Sequence, residues 1–147
     1  MSLTSRALAR PGGVAFHYVS ASPWQLYPVL QDFVRSNDYP AGTFHLRNFR
    51  WKDRSFLSLF GNPEKYKWTV IDPLVRRFPN RRFVLVGDSG ERDPEVYGAV
   101  ARKHVGQIEH IYIRDVTGED PGAPRYRDAF RGLPRGVWTV FREPSGL

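Results

Sequence analysis

Three carboxylates crowd one short stretch of this chain, "GDSGERDPE", from Gly87 to Glu95. Asp88, Glu91 and Asp93 follow the apolar run "RRFVLV" and precede a helix-like "PEVYGAVARKH". Two readings compete. As turn chemistry, Ser89-Gly90 is an ordinary turn pair. Asp93-Pro94-Glu95 would then start a helix unaided, with Asp93 as N-cap, Pro94 at the first helical position and Glu95 favourable to the helix dipole. As a site, Asp88 closes a buried strand, where an unpaired carboxylate is costly to desolvate. A hard cation such as Mg²⁺ relieves that cost, because it takes oxygen ligands and typically only one or two protein carboxylates beside a substrate phosphate. On the segment alone both readings stand.

The remaining reactive residues narrow the chemistry. There is no cysteine, which removes disulfides, zinc–thiolate sites and cysteine nucleophiles together. His17, His45, His104 and His110 show no metal-ligand spacing, and His17 and His110 fall within expected strands, where a structural role is the simpler reading. "GDSG" also resembles the nucleophile segment of chymotrypsin-like proteases. That likeness fails, because Glu91 stands where a glycine is needed, no His–Asp pair has a suitable setting, and the fold class is wrong. A net charge of +7, from 22 Lys and Arg against 15 Asp and Glu, suits an anionic partner. Arginine clusters at Arg76, Arg77, Arg81 and Arg82, and again at Arg125, Arg127, Arg131 and Arg135, supply much of it. A solvated basic face explains the charge equally well, and the absence of any nucleic-acid motif argues against nucleic acid as the partner.

Residues of these kinds act only where a fold holds them. The 147 residues, 41% hydrophobic, are enough for one domain with a real core. Residues 4–10 read as the end of a short helix, and "VAFHYVS" (14–20) as a buried strand. Ser22, Pro23 and Gln25 form a capping-box helix start, followed by Leu26, Val29, Leu30 and Phe33 at helical spacing, with Pro28 expected to bend the first turns. A strand at 43–49, a short helix at 52–60 and a helix over "EKYKWTVIDPLVRRF", kinked at Pro73, come next. "RRFVLVGD" (81–88) is the clearest strand, then a helix at 94–104, a strand at 107–116, a loop at 117–136 and a last strand at 137–141. Apolar strands alternating with helices predict an α/β fold, a doubly wound, mostly parallel sheet. Such sheets bind ligands at the carboxyl ends of their strands, where Ser20 and Asp88 sit. No apolar run is long enough to span a membrane, and "MSLTSRALARPGG" has no apolar signal region, so the expected location is the cytoplasm.

Three segments then combine. "HYVSASPW", the basic "KYKWTVIDPLVRRFP", and "RFVLVGDSGERDPEVY" followed by "IYIRDV" closely resemble the catalytic domain of the lipin-like phosphatidate phosphatases of the actin-patch-protein type. Those enzymes belong to the haloacid dehalogenase superfamily. The resemblance covers residues 7 to 116 and resumes weakly at "RGLPRGVWTVFREP". It implies that Ser20 is the hydroxyl holding a phosphoryl oxygen, that Lys67 (with Lys65 as the alternative) neutralises the phosphoryl group, and that Asp88 and Asp93 hold Mg²⁺. It also implies a phosphate-ester substrate, such as phosphatidate at a membrane surface where the protein would sit peripherally. Those residue types suit phosphoryl transfer, which is mostly positioning and charge stabilisation.

One departure matters. The superfamily's first motif, Asp-x-Asp-x-Thr, carries the nucleophile and its acid/base partner, and this chain contains no Asp-x-Asp. In the family that motif lies upstream of "YVSxSPW", on a central strand. The expectation is therefore a single, N-terminally incomplete domain, inactive by itself, in which strand 14–20 closes directly onto strand 82–88. The rival readings are a phosphatase for a soluble ester, or a non-catalytic basic remnant that binds anions or a protein partner.

Overall fold

The computed structural model describes residues 13–48 and 63–143. They fall into two compact units divided between Asn62 and Pro63. The helices expected at 4–10 and 52–60 lie outside the described residues.

The first unit is a β-α-β element: β1 (Phe16–Pro23), one 3₁₀ turn (Trp24–Leu26), α1 (Tyr27–Ser36) and β2 (Gly42–Arg47), parallel to β1. The helix starts later than its capping signal predicts. Ser22 is engaged elsewhere, its hydroxyl accepting from Ser20 Oγ at 2.9 Å and its N–H donating to Ser20 Oγ at 3.1 Å, so the strand runs on through Pro23. Pro28 then falls in the first turn of α1, where a missing N–H deprives no carbonyl. Tyr18 stacks on Phe44, Tyr27 meets the same ring edge-on, and the Tyr18 hydroxyl donates to the Pro40 carbonyl at 2.6 Å.

A histidine pair joins the two strands, with His17 Nδ1 3.1 Å from His45 Nε2. A hydrogen bond between two imidazoles needs at least one of them neutral. Burial lowers the proton affinity of both, and the charge of His17 lowers that of His45 further. The folded state thus binds fewer protons than the unfolded chain. The pair's contribution is whole above the ordinary imidazole value of 6.5 and is lost as pH falls through that value toward the lowered ones. Melting of the chain between about pH 8 and about pH 5 is expected to show this loss, and His45→Gln to flatten it. An unchanged slope in the variant would remove the pair as its cause.

The second unit contains α2 (Pro63–Arg77), β3 (Phe83–Asp88), α3 (Asp93–Lys103), β4 (Ile108–Arg114), α4 (Pro124–Ala129) and β5 (Trp138–Phe141). Its strands are parallel in the order β3-β4-β5. Leu85, Ile111 and Ile113 point into a core shared with Val75, Val96, Val100 and Tyr126, while Val84 and Val86 on the alternate positions of β3 are exposed. Gly98 lets the Ala129 carbonyl lie against α3, for a Cβ there would stand 2.0 Å from that oxygen. Asp72 of α2 ties the helices, accepting from His104 and Lys103 at 2.8 Å each. α2 continues through Pro73, and α4 occupies part of the span expected as loop.

The chain is therefore α/β with parallel strands, but its described strands make two small sheets rather than one doubly wound sheet. The expected closure of strand 14–20 onto strand 82–88 does not form, since β1 pairs with β2 and β3 with β4. Each strand takes its partner from its own β-α-β element, where the short connection makes closure least costly. β1 and β3 are left as edge strands among the described residues. No helix among those residues is long and apolar enough to cross a membrane.

Candidate functional site

The acidic turn leaves the carboxyl end of β3, and its geometry is set from both sides. At its start, Asp88 accepts the Gly90 N–H at 2.8 Å on Oδ1, an Asx turn that reverses the chain. At its end, Asp93 is the first residue of α3, not its cap; Arg92 takes the cap position without a side-chain bond. The Asp93 side chain instead turns back to β3, where Oδ2 accepts the Asp88 N–H at 3.1 Å. Only glycine at position 87 leaves room for this, because a Cβ there would stand 2.3 Å from Asp93 Oδ2.

Lys67 of α2 reaches the same carboxylate. Its ammonium pairs with Asp93 Oδ1 and, at 2.7 Å, with Glu91 Oε2. Lys67 is buried, whereas Lys65, two residues earlier, is exposed, so of the two lysines only Lys67 meets the turn. Burial opposes the charge on Lys67, yet its bonds to Asp93 and Glu91 outweigh that and raise its proton affinity. Burial pushes the Asp93 carboxyl above the usual carboxylate range, with Lys67 offsetting part of the rise. Asp88 has no cation partner among the described residues.

Ser89 and Asp115 anchor the turn to the next strand. Ser89 is fully buried, its N–H bonded to the Arg114 carbonyl and its hydroxyl 2.9 Å from both the Val116 N–H and Thr117 Oγ1. Asp115 Oδ1 accepts from Ser89 Oγ and from the N–H groups of Thr117, Gly118 and Glu119, while Arg142 Nε donates to Oδ2 at 3.0 Å. Burial works against that carboxylate, but Arg142 and the N–H donors prevail and hold it below the usual range. Tyr97 donates to the Val86 carbonyl at 3.1 Å, and burial raises its phenol well above the ordinary value, the nearby carboxylates adding to it.

Of the residues singled out from sequence, Lys67, Asp88 and Asp93 come together in the second unit. Ser20 lies in the first unit, where its hydroxyl bonds to Ser22. The sequence placed Ser89 only as a turn residue and Arg125 only in a basic cluster, and did not single out Asp115. For Asp115 a signal existed, since "RDVTG" is an aspartate at a strand end followed by turn residues. For Arg125 there was none.

A family model for the catalytic domain of phosphatidate phosphatase APP1 matches residues 1–115. Phosphatidate phosphatase APP1 of Saccharomyces cerevisiae is 36% identical over 113 residues, which are 77% of this chain and 19% of that protein. An uncharacterised protein of Schizosaccharomyces pombe is 32% identical over 104 residues, 70% of this chain and 17% of its own length. The chain thus spans less than a fifth of each of these relatives. No solved structure matches it significantly.

Proposed function

The chain belongs to the phosphatidate phosphatase APP1 catalytic-domain family, and on that footing we propose that it carries the metal and lysine half of a Mg²⁺-dependent phosphomonoester hydrolase site of the haloacid dehalogenase type. The observation that carries the proposal is Lys67, a buried cation set against Asp93 and Glu91, beside an Asp88 with no cation partner at the carboxyl end of β3. The donors there are all oxygens, which fit a hard cation and not a soft one. Among the described residues no three His, Asp or Glu side chains group as a ready metal cage, and a bound ion would draw its remaining ligands from water and substrate oxygens. Asp88 and Asp93 would hold it, and Mg²⁺ would supply charge neutralisation at the phosphoryl oxygens. Lys67 would neutralise a further phosphoryl oxygen.

A phosphate ester is the proposed substrate, phosphatidate at a membrane surface being the member of that class that the family points to. This chain contains no Asp-x-Asp, so it has no nucleophile of the kind that forms an aspartyl-phosphate. The purified 147-residue chain, given Mg²⁺ with an aryl phosphate or with phosphatidate in mixed micelles, is expected to release no phosphate above background. Release that Asp88→Asn abolishes would overturn that expectation. Mg²⁺ with inorganic phosphate is expected to shift the amide resonances of Asp88 to Asp93 weakly, at millimolar ion. Unmoved resonances would overturn the site reading itself.

A further inference from the structure

We propose that Arg125 is a positioning residue for the acidic turn, supplied by a part of the chain beyond the 115 residues that the family model matches. Its guanidinium makes four hydrogen bonds to that turn and the helix after it. Nη1 donates to the Ser89 carbonyl at 2.6 Å, and Nη2 donates to the Glu91 carbonyl. Nε and Nη2 form a fork on the Glu95 carboxylate, at 3.0 and 3.3 Å. Glu119 Oε2 lies 3.7 Å from Nη1, close enough to add charge without a hydrogen bond.

The arrangement reaches the site through the backbone. Ser89 follows Asp88, and Glu91 precedes Asp93 by two residues, so holding their carbonyls fixes the torsions between the two aspartates. Glu95 sits in the first turn of α3, so its fork ties the turn to the helix that presents Asp93. The Arg125 side chain is 23% exposed, and its partners hold its charge more firmly than usual, chiefly through Glu95. A lysine cannot replace it, because a single ammonium lacks the planar fork that spans two carbonyls and a carboxylate at once. α4, which carries Arg125, is short, and its Tyr126 and Ala129 are buried in the unit's core, so the guanidinium is delivered from a packed base.

Arg125→Lys and Arg125→Gln in the full 147-residue chain test this. Amide hydrogen exchange is read at Ser89 to Arg92 and, for comparison, at Ile111 and Ile113 in β4. Both variants are expected to speed exchange in the turn by about tenfold while leaving β4 unchanged, since charge-assisted bonds of this kind are worth roughly that factor or more. Mn²⁺ alone, read by line broadening of the same turn amides, is expected to bind about tenfold more weakly in both variants. Wild-type exchange in Arg125→Lys would overturn the inference, because charge alone would then suffice. Acceleration that runs equally through Ile111 and Ile113 would overturn it too, marking a general loss of stability. The inference rests on the proposed site for its metal consequence only. A wild-type chain whose turn amides ignore Mn²⁺ refutes the metal reading, and the exchange measurement still decides Arg125.

Discussion

Asp93→Ala is expected to destabilise the second unit by about 3–5 kcal/mol, because it leaves the buried Lys67 ammonium short of its closest partner. The Lys67 side chain is 10% exposed and that of Asp93 3%, so water cannot take over the lost interaction. Glu91 remains as a second partner, but half of its side chain is in solvent, where an ion pair contributes little. The same substitution frees the Asp88 N–H that Asp93 Oδ2 accepts. Lys67→Met removes the cation and leaves a buried carboxylate, so it too should be costly. The Lys67→Met/Asp93→Ala pair should cost less than the sum of the two, with a coupling of about 1–3 kcal/mol, since the double variant strands neither charge while each single variant strands one. Urea denaturation of the four proteins measures it. An Asp93→Ala loss below about 1 kcal/mol, or costs that simply add, would show that the pair does not organise the site.

Gly87→Ala should strike the same carboxylate from the strand side. The three nearest atoms to a Cβ at position 87 all belong to Asp93: Oδ2 at 2.3 Å, and Cβ and Cγ at 2.8 Å. Asp93 cannot simply swing away, because Lys67 and the Asp88 N–H hold its two oxygens. Something must yield, and overpacking of this kind typically costs about 1–3 kcal/mol. The expected result is a loss in that range, together with loss of the Mn²⁺ broadening at the turn. Gly90→Ala serves as the comparison, because its Cβ meets Asp88 Oδ1 and Val116 at 3.1 Å, a contact that small shifts relieve. A Gly87→Ala protein within about 0.5 kcal/mol of wild type would mean that the turn is looser than its geometry requires.

Most stretches that become strand or helix were legible in the residues themselves, α4 within the expected loop being an exception. β-branched runs such as "FVLV" and "IEHIYI" are strands, and "PEVYGAVARK" is a helix. The acidic turn was legible too, because its carboxylates, glycines and Pro94 are neighbours in the chain. These are short-range patterns, set by backbone sterics and by the periodicity of burial. Tertiary structure decided the partners. The local pattern offered Asp93 as a helix cap, and the family resemblance as a metal ligand, but only the fold shows its carboxylate held by Lys67, 26 residues away, and by the Asp88 N–H. Nothing near Ser22 disclosed that Ser20 would occupy it, and nothing in the arginine-rich loop marked Arg125 from Arg127. Strand pairing escaped as well: apolar strands state that they are buried, but not which edge meets which, and here β1 and β3 each paired within their own β-α-β element. A carboxylate or a strand edge is satisfied by any suitable partner, and which partner comes within about 3 Å is settled only when the chain closes on itself.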